Sequence, residues 1–355
     1  MRWNDLYIGA TAMSLGREES TAEAVADGRY PAKENEAAGF LSVCVDPEGP
    51  TMDLAVRAAE TALARAGEKA GQVGLVLHSS IFYQGIDDFS PAAYIQGRTV
   101  GGSGIAIEVA QASNGGMAAL ELAASYLTAQ PQTSSVLITT ADRFVPPGYD
   151  RYNTVGGMLF GDGGTAAVLC RGSGVARLLS SATTGDTTYG DVQLAGEPWS
   201  DVAGGNGWPL NVQSRVHSYA AEHGAEIFVD MVQAAARSEL ETMERALADA
   251  DLEAGDIDWW VFPHNGLSLT DWDGRKAFGV DVSRTTWDWG RRCGHLGAGD
   301  QFAGLTHLLE SKKVQPGDRV LVYGSGTGFM YCAAVLEIVA ELPDATPQHE
   351  GGASR

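Results

Sequence analysis

The sequence predicts an α/β fold made from one structural unit used twice. Three observations lead there. Short, wholly apolar runs such as VLITT and VLVYG alternate with stretches of helical periodicity, as strands buried on both faces by covering helices do. The same order of segments occurs in each half of the chain. The spacings agree as well: 35 residues separate His78, near the end of one apolar run, from Ser113, and 33 separate Phe262 from His295.

Taken in order, Met52–Gly67 places Leu54, Ala58, Ala62 and Ala66 at helical spacing, and Val73–Ser80 reads as a strand. A loop of small residues leads to a helix expected from about Asn114 to Ala129. The strand Ser134–Thr140 follows, and Gly161–Leu169 closes the first unit. The second unit opens with a helix over roughly His223–Asp249, and Ile257–His264 takes the place of Val73–Ser80. A loop ending at Cys293–Asp300 runs into a helix through residues 302–313. Asp318–Gly324 matches Ser134–Thr140, and GSGTGFMYCAAVL resembles GDGGTAAVL. The boundaries expected are residues 1–175 and 176–340, with 341–355 as a disordered tail. Arg17–Glu36 and Gly185–Gly207, rich in Gly, Asp, Thr and Glu, interrupt the repeat and are expected as surface loops or lids.

The composition narrows the functions available. The chain has 355 residues, 44% of them hydrophobic and 19% charged, which is ample for a core. A net charge of −21 disfavours nucleic-acid binding by the bulk surface. No apolar run reaches the 18 or so residues needed to span a membrane, and the first residues show no basic segment before a long apolar stretch. A reduced, cytoplasmic setting is expected. Cys44, Cys170, Cys293 and Cys332 lie far apart with no C-x-x-C pair, so no metal site is expected. GSGTG lacks the G-K-[ST] ending of a phosphate loop, which argues against nucleotide binding.

The segment with the most chemical content is EVAQASNGGMAALELAASYL, Glu108–Leu127. An extended piece leads to Ser113, and Asn114-Gly115-Gly116 opens a strongly helical run. Ser113 is therefore expected at a strand-to-helix turn, where unpaired N–H groups and the positive end of the helix dipole converge. Such a place stabilises an anionic nucleophile or a developing oxyanion. The two glycines would let a substrate approach the backbone. A plain N-cap serine fits the same local pattern, and G-x-S-x-G is absent.

Five segments in order, with the terminal glycine loop, resemble the type III ketoacyl synthases of the thiolase superfamily over about residues 3–340. They are SVCVDPEGPTMDLAVRAAETALARAG, QASNGGMAALELA, FGDGGTAAVL, VFPHNG and CGHLGAGDQ, followed by GSGTGFMYCAAVLEI. The resemblance implies a thiolase-like duplicated fold of five αβαβα layers and a homodimer. It places the family's nucleophilic cysteine at Ser113, its P-H-Q-A-N histidine at His264 and its G-N-T-S asparagine at His295. It assigns oxyanion donors to the backbone N–H groups of Ser113 and Thr327. Substrates would arrive as coenzyme A or acyl carrier protein thioesters, with no further cofactor. Arg275, Lys276, Arg291 and Arg292 are the candidate docking cations for an acidic carrier.

Two departures shape the functional reading. Serine replaces cysteine, and a serine hydroxyl needs a positioned base more than a thiol does. Histidine replaces asparagine at 295, and a carboxylate stands five residues on at Asp300. Ser113, a histidine and Asp300 supply nucleophile, base and orienter, the logic of an acyl-transfer triad. G-H-L-G-A-x-D-Q resembles ketosynthase-like acyltransferases of natural-product and antibiotic pathways, which move an acyl group onto a hydroxyl or amine. The alternative is decarboxylative condensation priming a polyketide, and a third reading is a non-catalytic partner subunit. His264 and His295 both stand as candidates for the base, and Asp162 in GDGG is expected to shape a turn.

Overall fold

The computed structural model describes residues 1–345; the rest of the expected tail lies outside the described residues. Along the chain the elements are β1 (Leu6–Leu15), β2 (Arg17–Ser20), α1 (Thr21–Ala26), α2 (Ala32–Ala38), β3 (Ser42–Val45), α3 (Thr51–Ala66), β4 (Val73–Ser79), α4 (Pro91–Arg98), β5 (Ile105–Glu108), α5 (Gly115–Ala129), β6 (Ser135–Asp142) and β7 (Gly163–Arg171). The second half continues with β8 (Ala176–Gly185), α6 (Val212–His223), α7 (Glu226–Asp249), β9 (Trp259–Val261), α8 (Trp272–Phe278), α9 (Trp287–Cys293), α10 (Asp300–Glu310), β10 (Arg319–Gly326) and β11 (Met330–Ile338).

Nine strands form one mixed sheet in the order β5-β4-β6-β7-β1-β8-β11-β10-β9. Read outward from the β1–β8 junction, the two halves repeat each other: β1-β7-β6-β4 against β8-β11-β10-β9. The paired segments are those the sequence matched. Strand direction is more mixed than the helix–strand alternation suggests. Only β5-β4-β6 and β9-β10 run parallel, while β6-β7, β7-β1, β8-β11 and β11-β10 are antiparallel. The reason is local. β10 returns to β11 through Thr327–Phe329 with no crossover helix, and so short a turn can only reverse direction.

Hydrophobic burial sorts the helices into layers. α5 carries alanine, leucine and methionine on almost every face, and α10 is buried along nearly its whole length. A helix apolar all round belongs at a centre. These two pack with each other and against strands of both halves, sharing one core with Leu6, Leu77, Ile138, Leu169, Leu178, Val322 and Leu336. α3, with a single apolar face, covers the outer surface of the first half, and α7 covers that of the second. The result is the alternation α3, half-sheet, α5 with α10, half-sheet, α7.

Arg17–Glu36 is not a loop. It forms β2, α1 and most of α2, with Ala24, Tyr30, Ala38, Phe40 and Val43 making a small core of their own. Its polar composition reflects thin, half-exposed elements rather than absent ones. Gly185–Gly207 is irregular apart from one turn at Gly190–Gln193, and it rests on α6 through Val192, Ala195 and Tyr219. Among the described residues no helix is long and apolar enough to cross a membrane.

Candidate active site

The turn at Ser113 is a strained bend. Ala112 has φ +48°, a left-handed conformation that costs a β-carbon residue about 1–2 kcal/mol. A single 3-10 turn, Ala112–Asn114, then feeds α5. Ser113 sits half-buried in that turn, just ahead of the helix N-terminus. Ser79 Oγ donates to the Val109 carbonyl at 2.7 Å, tying the approach strand to β4. Asn114 is fully buried, its amide donating to Gln111 Oε1 at 2.6 Å.

The glycines after Ser113 have protein packed where their β-carbons would stand. A β-carbon on Gly115 would overlap the Ser79 hydroxyl, and one on Gly116 would lie 2.5 Å from the Ala298 carbonyl oxygen. The bare Gly115 lets Ser79 of β4 pack against the start of α5, and the bare Gly116 lets the turn Gly297–Gly299, from the other half, close against it. This corrects the expectation that they open the backbone to a ligand.

That turn belongs to the loop carrying His295. The His295 N–H donates to the Leu159 carbonyl at 2.7 Å, and the Gly161 N–H donates to the His295 carbonyl at 2.9 Å. The histidine is thus held like one residue of strand beside Phe160, whose ring meets its imidazole edge to face at 5.4 Å. Its Nε2 lies 2.8 Å from Ser113 Oγ. Its Nδ1 lies 2.6 Å from Asp300 Oδ2. A carboxylate on Nδ1 keeps the proton there and leaves Nε2 as an acceptor for the serine hydroxyl.

Asp300 is the first residue of α10, where the helix dipole favours a negative charge. It is fully buried and accepts from the Leu296 N–H at 2.7 Å and the His264 N–H at 2.8 Å as well as from His295. Burial pushes its carboxyl up, but His264, His295 and the hydrogen bonds outweigh that and hold it down at about 2. The residue stays ionised throughout the working range.

His264 follows β9 and shares Asp300. Its Nδ1 lies 2.9 Å from the Gly294 carbonyl oxygen and 3.4 Å from Asp300 Oδ1. A carbonyl only accepts, so Nδ1 carries the proton and Nε2 presents a lone pair. That Nε2 is buried without a hydrogen-bond partner among the described residues. Trp289 braces the ring edge to face at 5.4 Å, and a β-carbon at Gly290 would lie 2.5 Å from His264 Cδ2.

The remaining expected site residues fall differently. The end of β10 packs on the nucleophile turn through Gly326, where a β-carbon would lie 2.8 Å from the Gln111 carbonyl oxygen and 2.9 Å from Asn114 N. Thr327 is exposed at the tip of the turn beyond, because Gly326 already pairs with Met330 and closes the ladder. Arg275 is not a surface cation. It is 5% exposed, paired with Glu239 at 2.5 Å and stacked over Phe262 at 3.8 Å. Lys276 is exposed beside Asp273, Arg292 is exposed beside Glu18, and Arg291 is half-buried. Asp162 is a buried strut, ion-paired with Arg151 at 2.9 Å and accepting from the N–H groups of Asp46 and Phe144. Asp142, which sequence reasoning passed over, lies next to this machinery. Its one signal was a carboxylate closing an otherwise apolar strand.

Comparison with known proteins agrees with this fold. Residues 107–187 match the family described as 3-oxoacyl-(acyl-carrier-protein) synthase III, and residues 247–338 match its C-terminal family. A 3-oxopimeloyl-(acyl-carrier-protein) synthase of Rhodothermus marinus is 28% identical over 82% of this chain and 81% of its own length. A beta-ketoacyl-(acyl-carrier-protein) synthase III of Thermosynechococcus vestitus is 27% identical over 82% and 84%. The solved structure of ChlB3, described as an acyltransferase, is 33% identical, with a TM-score of 0.87 over 96% of this chain and 99% of that one. The 3-oxoacyl-(acyl carrier protein) synthase III of Pseudomonas aeruginosa shares the fold at 18% identity, with a TM-score of 0.76 over 96% and 100%. With its duplicated layers, its family matches and these relatives, the chain belongs to the type III ketosynthase-like enzymes of the thiolase superfamily.

Proposed function

We propose that this protein is an acyltransferase that moves an acyl group from a carrier-protein or coenzyme A thioester, through an ester on Ser113, to a hydroxyl or amine of a natural-product acceptor. The observation that carries the reading is the unbroken hydrogen-bonded line from Ser113 Oγ through His295 to Asp300. Ser113 attacks the thioester carbonyl while its proton passes to His295 Nε2. Backbone N–H groups at the turn, with that of Ser113 first among them, hold the oxyanion, each worth about 3 kcal/mol. The thiol leaves with the proton from His295. The acceptor then attacks the ester, gives its proton to the imidazole, and Ser113 is regenerated. Asp300 stabilises the imidazolium at both stages. In this reading residues 1–175 supply the nucleophile and residues 176–340 the histidines.

The histidine tautomers favour transfer over carbon–carbon bond formation. Decarboxylative condensation calls for hydrogen-bond donors at the malonyl thioester carbonyl. With Nδ1 bonded to the Gly294 carbonyl in His264 and to Asp300 in His295, the neutral form of either ring presents a lone pair at Nε2 rather than a donor. Condensation remains the second reading, on the strength of the relatives named as synthases. Labelled malonyl thioester separates the two. Acylated acceptor without labelled carbon dioxide supports transfer, and stoichiometric carbon dioxide release supports condensation. A protein that gains no mass at Ser113 from any acyl thioester is a non-catalytic partner instead.

Two assembly features go with this proposal. β5 is an unpaired edge strand with Ile105 and Ile107 half exposed, and Leu122 on α5 is exposed too. Bare apolar edges are managed by pairing, and antiparallel pairing of two β5 strands gives a symmetric homodimer. For an acidic carrier, Lys276 and Arg292 are the docking cations that remain exposed.

A further inference from the structure

Asp142 ends β6 as the last residue of a wholly buried strand. Its Oδ1 accepts from the N–H groups of Ile81 and Phe82, both at 2.9 Å, in the loop after β4. Its Oδ2 accepts from the Ala298 N–H at 3.3 Å, in the turn that follows His295. Gly297, in the left-handed region at φ +65°, leaves room for the carboxylate; a β-carbon there would overlap it. Ala298 in turn presses its carbonyl toward Gly116, three residues past the nucleophile. One carboxylate from the first half therefore holds one end of the loop that carries His295, and Asp300 holds the other through the Leu296 N–H.

We infer that Asp142 is a positioning residue that fixes the placement of His295 against Ser113 and tunes how tightly that imidazole holds its proton. The inference rests on the acyl-transfer reading above. The titratable groups facing Asp142 are His295, from the turn it holds, and Tyr149, from the loop after β6; Asp300 faces His295 from the other side. The Ile81–Phe82 loop contributes backbone N–H groups to it. Burial pushes the Asp142 carboxyl up to about 7, against the pull of its three N–H donors and His295. The two carboxylates around one imidazole are thus driven apart, Asp300 down and Asp142 up, the pattern of groups given separate roles. Asp142 gains or loses its charge in the neutral range, and a negative charge there favours the imidazolium.

Asp142→Asn keeps the size and removes the charge; with the oxygen kept on Ile81 and Phe82, it gives up only the longer Ala298 contact. Single-turnover acylation of Ser113 by acetyl-coenzyme A, followed by intact mass across pH, reads the effect. The acid limb should move to lower pH by about half a unit, a roughly threefold change in proton affinity. A purely structural role lowers the amplitude and leaves the limb in place, which overturns the tuning. Imidazole ¹H–¹⁵N spectra, with His295 assigned through His295→Gln, should show the same displacement independently of activity. In the parent protein the Asp142 carboxyl carbon should titrate near neutrality; a carboxyl fully ionised by pH 5 overturns the proposal without any variant. A parent that titrates this way but takes no acetyl group, or any other acyl group, refutes the acyl-transfer reading and leaves the coupling of Asp142 to His295 standing.

Discussion

Asp300→Asn is the sharpest test of the triad. The carboxylate serves three donors within 2.8 Å: His295 Nδ1, the Leu296 N–H and the His264 N–H. An amide has one acceptor oxygen and a two-proton donor. If the oxygen keeps Leu296, the amide nitrogen faces His295 Nδ1 and forces the proton to Nε2, where it blocks transfer from Ser113. Loss of the correct tautomer in a serine triad costs about 10⁴ in kcat, or roughly 5.5 kcal/mol of barrier. Stability falls too. A carboxyl held at about 2 instead of 3.8 contributes about 2 kcal/mol. Because its folded value is depressed, that contribution is present above about pH 4 and is lost as pH falls through about 2. The variant should therefore melt several degrees lower at neutral pH, with the gap narrowing in acid. Quenched-flow acylation of Ser113 read by intact mass, with KM measured alongside, gives the kinetic half. The expected result is a fall of at least about 10³ in the acylation rate with KM little changed. Equal rates for variant and parent remove Asp300 from the mechanism.

Other perturbations follow from the same contacts. Ser113→Ala should abolish the acyl adduct seen by mass spectrometry, and Ser113→Cys should restore it, since a thiol at that turn is a competent nucleophile. Gly116→Ala sets a β-carbon 2.5 Å from a backbone oxygen that cannot swing away, and should cost about 1–3 kcal/mol in thermal melts while slowing acylation. Arg275→Met should lower the melting temperature, because Glu239 loses its partner, and leave the KM for carrier protein unchanged. Ile107→Lys places a charge on the β5 edge and, under the proposed β5 pairing, should give a monomer in analytical ultracentrifugation where the parent sediments as a dimer, without unfolding it.

Much of the architecture was legible in the chain because it rests on local patterns. Apolar runs such as Val136–Thr140 and Val320–Tyr323 became buried strands, and the all-apolar run after Gly115 became a central helix. The nucleophile turn was visible as a serine ahead of glycines and a helix. The His295–Asp300 pair was visible because five residues across a helix start bring the two side chains together. Asp142 was missed, since a lone carboxylate at a strand end has no signature until the loops it joins are known.

What the sequence determined alone was periodicity, order and the residue types at the turn, all properties of neighbours along the chain. The tertiary structure decided which partners meet across it. Ser113 and His295 are 182 residues apart, and tertiary contacts of the His295 loop, with Leu159, Asp142, Asp300 and Gly116, bring His295 rather than His264 to the serine. The Gly294 carbonyl sets the tautomer of His264, and burial beside Glu239 makes Arg275 a core residue rather than a docking cation. Hydrogen-bond direction and desolvation depend on the whole set of atoms around a group, and no spacing along the chain encodes that set.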